Sequence, residues 1–198
     1  MRVLLGFLLG VLALGVARFL FTPWPDPVHH HANWALFIDD AQVDLSDMRY
    51  MEDVAACAAG EHITARQRAH MHEGIDEVVH VHHDGVTWGH FLANLGWSIG
   101  DDWLLLDDGR RPAANDSTLL VFVVNGFVVP SVRERLIASG DRLLISYRAS
   151  SEEAALSRQF PQVADNAAEY NAANDPASCA GGHGELTAGE RIRRAFWN

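Results

Sequence analysis

The amino-acid sequence predicts an α+β protein, and three observations carry that expectation. Short strand-like runs cluster at residues 34–45, 70–82, 103–106, 119–129 and 142–147, separated by Asp, Gly and Asn turn signals. Helical spacing appears in a few separate places, such as Trp88, Phe91, Leu92 and Leu95, followed by Gly96. Strands and helices therefore come in blocks and not in strict alternation, which is the α+β order. The first 21 residues are almost wholly apolar and stand apart from the rest.

Residues 1–22 read as a transmembrane signal anchor. The apolar run is close to the roughly 20 residues needed to span a bilayer, with Arg18 interrupting its far end. An arginine near a helix end can reach the interface along its aliphatic stem. A cleaved signal peptide is the competing reading, but Gly15-x-Ala17 makes a poor cleavage site. Arg2 precedes the span, while Asp26, Asp39, Asp40 and Asp44 follow it. The positive-inside rule then places the N-terminus in the cytoplasm and the domain outside an inner membrane, in the periplasm. Trp24 suits an interfacial aromatic anchor. Residues 23–28 hold Pro23, Pro25 and Pro27 and read as a stiff stalk.

The chain has 198 residues and a formal net charge of −11, enough for one ordinary domain with appendages. It contains no lysine. That excludes a Schiff-base lysine and a phosphate-loop lysine, and an acidic chain without a basic block is a poor nucleic-acid binder. The two cysteines, Cys57 and Cys179, permit one disulfide in an extracytoplasmic domain; two unrelated buried thiols are the alternative.

Residues 29–149 read as a histidine-rich domain. His29 and His31 alternate and lead into the strand run Trp34-Ala35-Leu36-Phe37-Ile38, which turns at Asp39-Asp40. Ser46-Asp47 can cap a helix to about residue 59, with Tyr50, Val54 and Cys57 on its buried face. Residues 61–68 are polar and carry little signal. Then come His70-x-His72 and His80-x-His82, flanking Glu73-Gly74-Ile75-Asp76-Glu77. Alternation is the strand period, so each pair places both imidazoles on one face, and a hairpin brings four together. His90 falls off the apolar stripe of its helix and reads as a surface residue. Asn125-Gly126 is a strong two-residue hairpin signal. Residues 150–198 read as a helical and loop extension. A polar helix runs to Phe160, where Pro161 breaks it, and a second helical piece reaches Asn171. Residues 174–184 form a loop, and an amphipathic segment over 186–197 packs on the domain, lies on a membrane surface or binds a partner.

Six histidines in three alternating pairs, His29, His31, His70, His72, His80 and His82, form the candidate metal site. Imidazole suits Zn, Cu, Ni or Fe. With no methionine cluster and no cysteine pair nearby, a Zn or Cu(II) ion is expected. A solvated polar sheet face is the bland alternative. Glu73, Asp76 or Glu77 could serve as a base or as a carboxylate ligand. No nucleophile elbow, HExxH motif, phosphate loop or dinucleotide fingerprint occurs, so no catalytic residue is assigned.

Val124-Asn125-Gly126 and Gly140-Asp141-Arg142-Leu143-Leu144-Ile145-Ser146 resemble the second half of β-grasp (ubiquitin-like) domains, especially the sulfur-carrier branch. That resemblance implies a β-grasp-like mixed sheet with one or two packed helices. The carrier branch ends in a reactive Gly-Gly, whereas this chain continues past Tyr147, so the carrier activity does not transfer. The larger region, with DGVTWGHFLANLGW, LLISY and AAEYN, resembles a family of uncharacterised, membrane-anchored, histidine-rich prokaryotic proteins. It implies fold and location more than activity. The expectation is a non-catalytic accessory or structural subunit of a larger membrane complex, respiratory or photosynthetic, in contact with lipid and integral membrane proteins. A free-standing periplasmic Zn/Cu-binding protein is the alternative, and a His-ligated metalloenzyme comes third.

Overall fold

The computed structural model describes residues 2–21, 28–53, 64–115, 118–173 and 188–197. Cys57, Cys179 and Trp24 lie outside the described residues, as does most of the helix expected to run to residue 59. In chain order the elements begin with α1 (Arg2–Phe21), β1 (His30–Ile38), β2 (Ala41–Gln42), α2 (Ala65–Arg68), β3 (Ala69–His70), β4 (Val78–Val81) and α3 (Trp88–Asn94). There follow β5 (Ser98–Ile99), β6 (Leu104–Leu105), β7 (Leu120–Val124), β8 (Phe127–Val129), β9 (Arg142–Tyr147), α4 (Glu152–Ala154), α5 (Ala167–Ala172) and α6 (Ala188–Trp197). The chain divides into two compact units, α1 with α6, and the elements from β1 to α5.

In the first unit, α1 is 20 residues long and nearly all of its side chains are exposed. At about 1.5 Å per residue it measures about 30 Å, the thickness of a bilayer core. Its length and apolar composition suffice to cross a membrane; a signal sequence has the same properties. The amphipathic α6 packs on α1. Ala195 is buried, and the Phe196 ring lies so close to Gly15 that an added Cβ would overlap it.

The second unit is built on one mixed sheet in the order β3-β4-β1-β9-β7-β8, with β2 paired to the far end of β1. β1 and β9 run parallel at its centre, and the remaining pairs are antiparallel. β5 and β6 form a separate small hairpin. Both sheet faces are covered, so the central strands read as near-continuous apolar runs. One face carries Trp34, Leu36, Val79, Val81, Phe122 and Ile145, packed against Trp88, Phe91 and Leu92 of α3. The other carries Ala35, Phe37, Val121, Val123 and Leu144, packed against Ala155 and Val163.

Local chemistry explains the turns and caps. Asn125 and Gly126 have φ of 53° and 83°, as the two-residue β7–β8 turn requires. The Arg142 N–H donates to Asn125 Oδ1, tying that turn to β9. Thr87 accepts from the His90 N–H, and His90 Nδ1 accepts from the Thr87 N–H, so this histidine closes the capping box of α3.

Three local expectations are corrected. Asp47 does cap a turn, but only the 3-10 turn Met48–Tyr50 follows. Met51 is extended, and the Glu52 N–H donates to the Met71 carbonyl, so sheet-like pairing ends the helix at once. Residues 61–68, which carried little signal, include α2, started by a reciprocal capping box between Thr64 and Gln67. The segment from α4 to Gln162, expected as one polar helix to Phe160, is helical but not uniform. It passes through a π-helical stretch, Ala155–Gln159, and buries Ala155 and Gln159 on the second sheet face. Ser146 donates to Gln159 Oε1 there, a tertiary partner invisible to local periodicity.

Candidate metal centre

The histidines lie on the second sheet face, at the end opposite Phe37. Strand register puts them there: His31 pairs with His80 across β1 and β4, and His70 pairs with His80 across β3 and β4. Side chains alternate, so the residues two positions away project from the same face. All six imidazoles of the three His-x-His pairs come together. His31, His70, His72, His80 and His82 are between 1% and 6% exposed, and His29 is partly buried. Ring centroids are 3.8 Å apart for His72–His80, 4.3 Å for His31–His80, 4.7 Å for His29–His31, 4.8 Å for His29–His82 and 5.1 Å for His70–His82.

Hydrogen bonds identify the tautomers. Asn171 Oδ1 is 2.8 Å from the His31 backbone N–H, which can only donate, and 2.9 Å from His31 Nδ1. One oxygen therefore accepts from both, and His31 Nδ1 carries the ring proton. Its Nε2 keeps a bare lone pair, aimed at His80 Nδ1 2.8 Å away. His70 Nδ1 lies 3.2 Å from the Gln67 carbonyl and must also donate, which leaves its Nε2 with the lone pair. A bound proton on the far nitrogen is the usual support of a metal-ligating imidazole. His72 Nε2 is 3.2 Å from the same His80 Nδ1, so three ring nitrogens meet around one proton. Tetrahedral zinc with Zn–N of 2.0–2.1 Å sets its nitrogens about 3.3 Å apart. The observed 2.8 and 3.2 Å separations are close to that edge. His29, His31 and His80 also offer ligand atoms that lie within 4.8 Å of one another, and this group could hold a metal ion.

His82 stands out within the cluster. Both its ring nitrogens are buried and neither has a hydrogen-bond partner. Burial, then the neighbouring imidazoles His70 and His29, push its pKa down to about 2. His80 is depressed as well, by burial first and then by His72 and His31. His80 and His82 are thus held in the neutral form that metal-ligating imidazoles need.

α5 covers the site. Tyr170 lies 5.7 Å from the His31 ring and 6.1 Å from the His80 ring. Its phenol pKa is raised, by burial first and then by the charges of Glu77, Glu169 and Glu73, so acidic side chains lie near Tyr170. Asn33, from the same face, accepts from the N–H groups of Asn166 and Ala167 and pins the start of α5. Asn171 and Tyr170 carry no signal as site residues in the local pattern; their only trace in the sequence is the AAEYN resemblance.

Of the acids between the His-x-His pairs, one is engaged elsewhere and one stands beside the cluster. Asp76 accepts from the Leu45 N–H at 2.7 Å, and Glu73 is exposed, 3.6 Å from His72 Nδ1. His90 is exposed and occupied in its capping box. Elsewhere, a cleft of about 380 Å³ is lined by His90, Trp97, Trp103, Arg133 and Glu134 among others. Comparison with protein-family models, curated proteins and solved structures finds no match to this chain.

Proposed function

We propose that the chain is a non-catalytic, single-span membrane protein whose exported domain holds Zn or Cu(II) in the histidine cluster. One observation carries the metal reading: five imidazoles are buried together, and one of them, His82, has both nitrogens unbonded. An unsatisfied buried polar group costs about 1–3 kcal/mol, and a metal bond removes that cost. The commitment of Asp76 to a backbone N–H supports the non-catalytic reading.

The same reading makes the protein an accessory subunit of a larger membrane assembly, with the N-terminus cytoplasmic, the domain periplasmic, and lipid and integral membrane proteins as partners. Phe127, on the edge strand β8, is 73% exposed and supports a protein partner for the domain. The strand order β4-β1-β9-β7-β8, with a parallel central pair and α3 between β4 and β7, supports a β-grasp domain. It also fits the resemblance to the histidine-rich membrane-anchored family. A free-standing metal-binding protein is the alternative.

Two measurements test this. The tag-free chain, purified from membranes, is expected to retain at least one Zn or Cu per chain through dialysis, and His80→Ala with His82→Ala to lose it. Below about 0.2 metal per chain in both proteins, the metal centre is wrong. Gentle solubilisation is expected to yield a stable larger complex; a lone monomer removes the accessory role and leaves the free-standing one.

A further inference from the structure

The helix α6 is ten residues long, AGERIRRAFW. A helix this short is marginal in water alone, so its stability comes from what its apolar face covers. Ile192, Ala195 and Phe196 recur at the helical period and form that face. Packing on α1 covers only part of it. Ala195 is buried and Phe196, half-buried, lies against Gly15, but Ile192 is 48% exposed. On α1, Gly15 is buried and Phe19 half-buried, while the other residues from 3 to 21 are exposed.

The place of this contact sets a depth. From Gly15 to the end of α1 at Phe21 the helix rises about 9 Å, at about 1.5 Å per residue. Helices that lie in a membrane interface bury their apolar face about 5–10 Å into the boundary between headgroups and acyl chains. With α1 across a bilayer and Phe21 at its surface, Phe196 sits at that depth.

The charges match the same place. Residues 188–197 hold Arg191, Arg193 and Arg194 against one acid, Glu190, so the segment is cationic in a chain whose net charge is −11. Arg18 lies one turn beyond Gly15 on α1. Arg18 and Arg193 are exposed, and neither is in an ion pair among the described residues. A guanidinium presents its N–H groups as a fork that fits two oxygens of a phosphate.

Resting on the reading of α1 as a membrane span, we propose that α6 is an interfacial helix. It docks on the C-terminal end of α1 and binds the phosphate headgroups of anionic phospholipids. Arg18 and Arg193 supply the contacts, reinforced by the charge of the two further arginines in the segment. The acyl chains cover Ile192, which α1 leaves open. An acidic protein surface would also satisfy the arginines, but the depth of the Phe196–Gly15 contact favours lipid.

The test places the full tag-free chain in lipid nanodiscs of phosphatidylcholine, with and without phosphatidylglycerol, and reads backbone hydrogen exchange in α1 and α6. Protection of α1 is expected in both discs. Exchange in α6 should be about 10–100-fold slower with phosphatidylglycerol, as two or three arginines near an anionic surface imply. High salt should remove that difference. The combined variant Arg191→Gln, Arg193→Gln and Arg194→Gln should lose it as well, with exchange in α1 and the histidine domain unchanged. Fast exchange of α6 in both discs overturns the interfacial helix. Equally slow exchange in both means that protein contacts alone hold α6, and overturns the headgroup proposal. A lipid effect that survives the combined variant overturns the role of the arginines. Equal slowing by inorganic phosphate in phosphatidylcholine discs overturns lipid as the source. An unprotected α1 overturns the membrane span itself, a result distinct from any failure confined to α6.

Discussion

The two faces of the central sheet are made by alternate residues of the same strands, yet they are stabilised in opposite ways. On β1, Trp34 and Leu36 point to one side, and His31, Asn33, Ala35 and Phe37 to the other. The first side is filled by α3 with Trp88, Phe91 and Leu92, all fully buried. Burial there is favourable in itself, at roughly 25 cal/mol per Å² of apolar surface. The second side is apolar at one end and turns into a wall of imidazoles at the other. Burial there removes water from polar nitrogens, and His82 receives no hydrogen bond in return. The comparison teaches that burial alone does not mark a core. One face is apolar throughout, and the other joins an apolar cluster to a set of buried imidazoles.

The sharpest way to break the comparison is to open the apolar face. Phe91→Ala removes a fully buried ring between Trp34 and Trp88 and should cost about 3–5 kcal/mol. Denaturant unfolding of the full chain in detergent measures it. A cost below 1 kcal/mol would mean that α3 is not the lid of a packed core.

Acid should act almost wholly on the histidine face. The folded pKa of His82 is about 2, below the unfolded value near 6.5, and that of His80 is lowered too. The unfolded chain therefore binds protons that the folded chain refuses. Stability is full above pH 6.5 and falls progressively as pH drops below it toward the folded value. Each such proton gives a slope of about 1.4 kcal/mol per pH unit. Metal-free protein should show the slope of at least two protons between pH 6 and 5, and His82→Leu should lose one of them. A flat profile across that window would place the imidazoles in water.

Asn171→Ala tests how the face is held in its binding form. It removes the oxygen that keeps the Nδ1 proton on His31. Losing such a support typically weakens metal affinity by about 10–100-fold. Competition titration with a zinc chelator reads this, and an unchanged affinity would show that Asn171 only packs.

The smallest effect is expected at His90. His90→Ala opens the capping box of α3 and should cost about 1 kcal/mol. It should leave metal stoichiometry unchanged. A lost metal equivalent would place His90 among the ligands.

Much of the architecture was legible because it rests on local rules. Asn125-Gly126 demanded a hairpin, and the structure has it. The helix after Thr87 was visible from its apolar stripe. The helix expected to start at Ser46-Asp47 was misread because Asp47 caps equally well a single turn, and the partner that ends it, Met71, lies 20 residues on. The polar look of residues 151–160 hid Gln159, whose amide bonds Ser146 and Asp40.

For the site, the sequence alone determined which residues are chemically able and which share a face. Three alternating His-x-His pairs carry that in their period of two, because a strand turns by half a revolution per residue. Only the tertiary structure decided that the pairs meet, that they are buried, and which nitrogen is bare. The parallel pairing of β1 with β9 joins residues more than a hundred positions apart. The oxygen that sets the His31 tautomer comes from Asn171, 140 positions away. Local periodicity encodes the direction of a side chain, but its neighbours and its dryness come from chain segments that periodicity cannot see.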